Sequence, residues 1–267
     1  MTDKICNIMN NVEKQKPLIH CITNPISINQ CANAILSFRA KPIMAEHPSE
    51  VYEITGTADA LMLNIGNITD ARMKSIMISL KKAKEINIPV LLDVVGIACS
   101  KFRRKYVLEL LKASSPSVIK GNYSEIMALQ NEEYFSPGVD AEISLEVCDI
   151  TKIATELAIK YQTVVLATGK ADIVADGKRT AYVKNGTPQL ASVTGTGCML
   201  GALCSAFMTA ASPMDATISA CCYFGICGEH AKTESGNGSF MVNLIDKLST
   251  LTKEQISKYL NVEEKIN

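Results

Sequence analysis

The 267-residue chain has no tryptophan, only 5% aromatic residues and only three histidines, His20, His47 and His230, spread far apart. Scattered imidazoles argue against a histidine-built metal centre. There is no Cys-x-x-Cys pair, so the ten cysteines (6, 21, 31, 99, 148, 198, 204, 221, 222 and 227) lack the spacing of a zinc site or a dithiol motif. Cys204, Cys221 and Cys222 fall in apolar helical stretches, where cysteine acts as a small hydrophobe. Net charge is also missing: 27 Lys and Arg balance 27 Asp and Glu, and no basic run is interleaved with aromatics. That balance disfavours a nucleic-acid partner. No apolar run is long enough to cross a bilayer, which argues against a membrane partner. Met1 to Lys16 is polar, unlike a signal peptide. The expectation is a cytoplasmic chain with reduced thiols.

What is present is an alternation of short apolar runs with amphipathic ones. Ala60–Asn64, Pro89–Asp93, Ser117–Ile119 and Thr163–Ala167 read as buried strands. Between them Asp70–Ile86, a basic segment over Lys101–Ala113, Ser124–Gln130 and Ser144–Tyr161 carry helical spacing. Continuously apolar strands separated by helices predict a mostly parallel sheet covered on both faces. Ile173–Ala175 and Thr180–Val183 flank Asp176-Gly177, a hairpin signal that adds an antiparallel edge. The C-terminal third reads as helical, and Glu132–Ala141, with Ser136-Pro137-Gly138, reads as a flexible loop. With no linker or repeat, residues 1–267 read as one α/β domain.

Polar or glycine-bearing residues fall at five strand ends or helix starts: Asn64-Ile65-Gly66, Asp93, Lys120-Gly121-Asn122, Thr168-Gly169 and the loop Val193–Cys198. Ligands of open α/β sheets bind beyond the carboxyl ends of the strands. Gly195-Thr196-Gly197-Cys198 precedes the apolar segment Met199–Ala211. Its glycine amides can point at an anion at a helix N-terminus, although a plain Gly-rich cap has the same pattern. Cys198 would share that positive field and lean toward thiolate. Asn122-Tyr123-Ser124-Glu125 has two readings. It is a capping box, or it is a carboxylate that serves Mg2+ through water beside nucleotide phosphates. Beside Asp93 and the glycine loop the second is favoured.

Asn122-Tyr123-Ser124-Glu125 together with Gly195-Thr196-Gly197-Cys198 resembles the ribokinase-like kinases. Ile22-Thr23-Asn24-Pro25-Ile26-Ser27, Ala32-Asn33-Ala34-Ile35-Leu36 and Lys41-Pro42-Ile43-Met44-Ala45 narrow the resemblance to hydroxyethylthiazole kinases, as does Cys198 where most of the superfamily has Asp. The resemblance runs from about Pro17 to Gly238. It implies a three-layer ribokinase-like α/β fold and transfer of the ATP γ-phosphoryl group, with Mg2+, to the primary alcohol of hydroxyethylthiazole in thiamine salvage. It places Cys198 at the reacting hydroxyl, Met44, Gly195 and Asn24 at the thiazole, and Lys120, Thr168, Asn122 and Gly197 at ATP. Asp93 and Glu125 fall in the Mg2+ region. It also implies a homotrimer with active sites between subunits. Val94 stands where that family usually has Pro. Lys120 stands where Arg is usual, which keeps the charge and loses the bidentate fork. The alternatives on the same scaffold are an NAD(P)H-hydrate dehydratase, which needs an acidic residue at position 198, and a hydroxymethylpyrimidine kinase, which the Met44 segment disfavours.

Overall fold

The computed structural model describes residues 1–131, 133–134 and 147–266. Helix α1 (Thr2–Gln15) leads to β1 (Leu18–Ile22), α2 (Ile28–Ser37), β2 (Lys41–Ile43), α3 (Val51–Gly56) and β3 (Ala60–Asn64). Then come α4 (Asp70–Ile86), β4 (Val90–Asp93), α5 (Lys101–Ala113), β5 (Val118–Asn122), α6 (Tyr123–Gln130), α7 (Val147–Tyr161) and β6 (Val164–Thr168). The chain continues through β7 (Asp172–Ala175), β8 (Arg179–Val183), α8 (Thr196–Phe207), α9 (Pro213–Ala231), α10 (Asn237–Thr250), α11 (Lys253–Tyr259) and β9 (Val262–Ile266).

The nine strands found among the described residues join one sheet in the order β2-β1-β3-β4-β5-β6-β7-β8-β9. The pairs from β2 to β6 are parallel, and the remaining three are antiparallel. Alternate residues of β1 and of β3 to β6 feed two cores, as the period of two requires. Met62, Leu91, Val118 and Leu166 pack with residues of α1, α2, α8, α9 and α10. Leu61, Leu63, Leu92, Ile119 and Val165 pack with residues of α4 to α7 on the opposite face. The expected three-layer α/β architecture is therefore observed, and so is the 173–183 hairpin.

Three segments differ from the sequence reading. Met1–Lys16, read only as polar, forms α1, which buries Ile5, Ile8 and Val12 and leaves its polar residues outward. Strand β5 runs three residues past Ile119 because Lys120, Gly121 and Asn122 stay in register with β6. The helical C-terminal third ends in a strand, β9, paired with β8 through Val262–Ile266. Its Glu263, Glu264 and Lys265 carry no apolar alternation, so the sequence gives no strand signal there. The loop expected over 132–141 lies, except for residues 133 and 134, outside the described residues, as do the first three residues of the helix expected from Ser144. Among the described residues no helix is long and apolar enough to cross a membrane.

Candidate active site

Register builds the site. Asn64 pairs with Asp93 across β3 and β4, and Asp93 pairs with Lys120 across β4 and β5. Each lies two residues beyond an apolar residue of the α8-side core (Met62, Leu91 and Val118), so all three side chains emerge on that face at the carboxyl ends of their strands. Helix α8 lies across them. Its Gly201 permits the approach, because a Cβ there would come 3.0 Å from Met62 Cε and 3.7 Å from Asp93 Oδ2.

The resulting network is continuous and buried. Lys120 Nζ donates to Asp93 Oδ2 at 3.0 Å, with side-chain exposures of 5% and 1%. Asn64 Nδ2 donates to the same oxygen at 3.1 Å and to Cys198 Sγ at 3.3 Å. Asn24 Nδ2 donates to Cys198 Sγ at 3.4 Å and to Asn64 Oδ1 at 3.3 Å. The Asn64 carbonyl also accepts the Gly66 N–H at 2.8 Å, which fixes its amide orientation. The sulfur thus faces two amide donors. Asp93 Oδ1 is buried without a hydrogen-bond partner, the one side of the carboxylate left for another group.

The glycine loop closes the top. Gly195 caps α8 at φ 91°, in the left-handed region that a Cβ would strain, and sits against Ser27 and Gln30 of the α2 end. A methyl group on Gly197 would stand 3.7 Å from Lys120 Nζ, so the ammonium lies directly beneath the loop. The N-terminal amides of α8 and one buried cation converge on the same space.

Cys198 is the third residue of α8, and its acidity runs opposite to expectation. Burial and the Asp93 charge raise its thiol pKa, outweighing the hydrogen bonds from Ser27 and Asn24 and the Lys120 charge. Removal from water penalises the thiolate more than one helix terminus favours it. Burial acts to lower the Lys120 pKa, but the Asp93 carboxylate reverses this and the net shift is upward.

Asn122-Tyr123-Ser124-Glu125 forms a full capping box. Asn122 Oδ1 accepts the Glu125 N–H at 2.8 Å, and Glu125 Oε2 accepts the Asn122 N–H at 2.7 Å. Glu125 Oε1 accepts the Gly96 N–H at 2.7 Å, so the carboxylate also holds the loop after β4. Burial and the Asp93 charge raise Glu125 from 4.5 to about 7, against the two amides and Lys120. A raised carboxyl keeps its proton in the folded chain while the unfolded chain has lost it, so stability falls as pH rises from 4.5 to about 7. Urea unfolding at pH 5 and pH 7.5 checks this. Wild type is expected to lose stability over that interval relative to Glu125→Gln; equal slopes would refute the shift.

Of the residues singled out, Asn24, Asp93, Lys120 and Cys198 meet in one network. Thr168 and Asn122 are neighbours in register, and Thr168 Oγ1 donates to Gly121 O at 3.4 Å. Met44 stands just past β2, packed, like Cys198, against the α8-side core. Asn64, noted only as a polar strand end, proves central. Its signal was a carboxamide ending an otherwise apolar strand. A surface depression lined by Pro17, Asp59, Asn87 and Pro89 lies at the amino ends of the strands and contains none of these residues. Among the described residues no group of three or more His, Cys, Asp or Glu is placed to hold a metal.

Comparison with known proteins gives the family. The hydroxyethylthiazole kinase family pattern matches residues 9–254. Hydroxyethylthiazole kinase 2 of Clostridium botulinum (strain Langeland) is 42% identical over 264 residues, covering 96% of this chain and 98% of that one. The structure of hydroxyethylthiazole kinase protein from Pyrococcus horikoshii OT3 is 38% identical with a TM-score of 0.90, covering 99% of both chains. Pyridoxal kinase from Staphylococcus aureus is similar in fold alone, at 12% identity and a TM-score of 0.66 over 94% of this chain and 99% of that one.

Proposed function

The chain belongs to the hydroxyethylthiazole kinase family, and from that premise we infer that it transfers the ATP γ-phosphoryl group to the primary alcohol of hydroxyethylthiazole, a step of thiamine salvage. The observation that carries the reading is the buried chain Cys198–Asn64–Asp93–Lys120 beneath the N-terminus of α8. It sets a hydroxyl-sized sulfur contact beside a cation and a row of helix amides. Phosphoryl transfer passes through a loose transition state, so the protein chiefly positions the two substrates and stabilises charge. The strands of the described residues all join one sheet, which supports reading residues 1–267 as one ribokinase-like domain.

In this reading the amides of Gly195 to Cys198 face the charge developing on the transferred group. Lys120, held by Asp93, adds a fixed cation below them. Thr168, Asn122 and Gly197 border the nucleotide phosphates, and Met44, Gly195 and Asn24 border the thiazole. Cys198, a neutral thiol near pH 7, orients the alcohol rather than taking its proton; the hydroxyl becomes acidic only as the new O–P bond forms, and its proton then passes to an oxygen of the transferred phosphoryl group or to water, so a strong base is not required. The free, buried Asp93 Oδ1 and the rigidly held Glu125 fit a Mg2+ ion that keeps its waters, since that ion takes few protein ligands. When bound, Mg2+ supplies charge neutralisation at the β- and γ-oxygens. The decisive assay follows ADP release with and without the thiazole alcohol. Release that depends on the alcohol is expected; equal release in its absence would overturn the reading.

Assembly into a homotrimer with shared pockets is part of the same reading. Ile26, just before α2, and Leu36, near its end, are 58% and 54% exposed, and Val242 on the neighbouring α10 is 61% exposed. Apolar side chains left this open on adjacent elements suit a subunit contact. Sedimentation is expected to give three times the 28.9 kDa chain mass. Leu36→Glu should shift the protein toward monomer with loss of thiazole turnover, and a fully active monomer would remove the intersubunit pocket.

A further inference from the structure

Strand β1 carries a histidine with no exposure at all, His20, in register with Ile43 on β2 and Leu61 on β3. Both ring nitrogens are engaged. Nδ1 lies 3.0 Å from Thr55 Oγ1, and Nε2 lies 2.9 Å from the carbonyl oxygen of Ala45. A carbonyl oxygen only accepts, so Nε2 carries the proton. Burial lowers the His20 pKa and keeps the ring neutral, so Nδ1 accepts from the Thr55 hydroxyl. The geometry therefore fixes both the tautomer and the direction of the chain from Thr55 through His20 to Ala45.

The next residue is pinned as firmly. Ser75 Oγ donates to the Glu46 carbonyl at 2.7 Å, and Arg72 forks onto the Glu46 carboxylate at 3.0 and 3.2 Å. The same guanidinium reaches the Asn67 carbonyl, in the loop after β3. Residues 44–47 belong to no helix or strand, so these side chains provide anchors that secondary structure does not. The segment after Met44 is tied to β1, to α4 and to the loop beyond β3.

We propose that His20 is a positioning residue for the acceptor alcohol: through Ala45 it fixes the backbone on which Met44 stands, so that this wall of the thiazole pocket is rigid before substrate arrives. The proposal rests on the assignment of Met44 to the thiazole made above. A wall ordered only on binding would lose affinity by the entropy of fixing it. The effect should be confined to the alcohol, because Lys120 and Thr168 stand on β5 and β6, three and four strands away from β1.

Steady-state kinetics of the full chain test this. His20→Leu is expected to raise KM for the thiazole alcohol about tenfold, the scale of one buried hydrogen bond, while KM for ATP and kcat change less than about twofold. His20→Gln, whose amide nitrogen can take the place of Nε2, should restore most of the loss. Thr55→Val provides a second variant should His20→Leu not fold, with a smaller rise in the same constant. A lower melting temperature with both KM values unchanged, or equal rises in both, would overturn the proposal. Hydrogen exchange over residues 44–50 of the free protein reads the same device without substrate. Faster exchange in His20→Leu or Thr55→Val is expected, and unchanged exchange overturns the proposal whatever the alcohol assay shows. A wild-type chain inert toward the alcohol, with exchange responding as expected, would instead fault the assignment of the pocket.

Discussion

Asp93→Asn is expected to lower kcat on the order of 10²- to 10³-fold, the scale of removing one pre-organised electrostatic contact from a transition state. The carboxylate has two duties here. It holds Lys120 beneath the glycine loop at 3.0 Å and accepts Asn64 at 3.1 Å, which in turn touches Cys198. Asparagine keeps the shape and loses the charge. Lys120→Met tests the pair from the other side and should be worse for folding, because it leaves the Asp93 carboxylate buried with no cation. Breaking a buried ion pair from one side costs about 3–5 kcal/mol. The double variant Asp93→Asn with Lys120→Met is expected to recover part of that stability and none of the rate. Urea unfolding and kcat, measured on all three, separate the roles. A Lys120→Met variant as stable as wild type would mean that Asp93 is not held as a charge. A normal kcat in Asp93→Asn would remove it from the chemistry.

Much of this arrangement was legible because the parallel strands β3, β4 and β6 are short, apolar and end in a polar residue. Leu61-Met62-Leu63 before Asn64 and Leu91-Leu92 before Asp93 announce both the strand and the position where it meets the ligand side. The helix spans over 70–86 and 101–113 followed from the residue pattern, and the structure adds the N-caps Thr69 and Ser100, each accepting an N–H from the first turn. The partners of each side chain were not legible, since they depend on register. Lys120 was read toward the nucleotide, yet its hydrogen-bond partner is Asp93, which only the β4–β5 pairing reveals. His20 was one of three scattered histidines until β2 and α3 placed Ala45 and Thr55 around it. The acidity of Cys198 was misjudged for the same reason: sequence locates a helix terminus but not the burial and the neighbouring carboxylate that outweigh it.

Cys198→Ala is expected to lose rate by no more than about 10²-fold, the scale of misplacing one reacting group. The thiol is held up by burial and by Asp93, so near pH 7 it is protonated and contributes chiefly by orienting the alcohol between the Asn24 and Asn64 amides. Cys198→Asp should remain active, because those two donors and Lys120 suit a carboxylate as well as a sulfur. Its pH profile should nonetheless differ from wild type. The introduced carboxyl lies in the same buried field as Asp93, so both desolvation and like charge hold its pKa above the usual value of about 3.9. Activity should therefore rise with pH on a limb that Cys198→Ala lacks. Thiol alkylation provides the complementary measurement: wild-type Cys198 should react slowly at pH 7 and faster in Asp93→Asn, where the repelling charge is gone. The outcome that removes Cys198 from the chemistry is an inactive Cys198→Asp beside a Cys198→Ala that turns over at the wild-type rate with saturating ATP and alcohol. In that case the residue is only a packing element in the first turn of α8, and the amides and Lys120 carry the transfer alone.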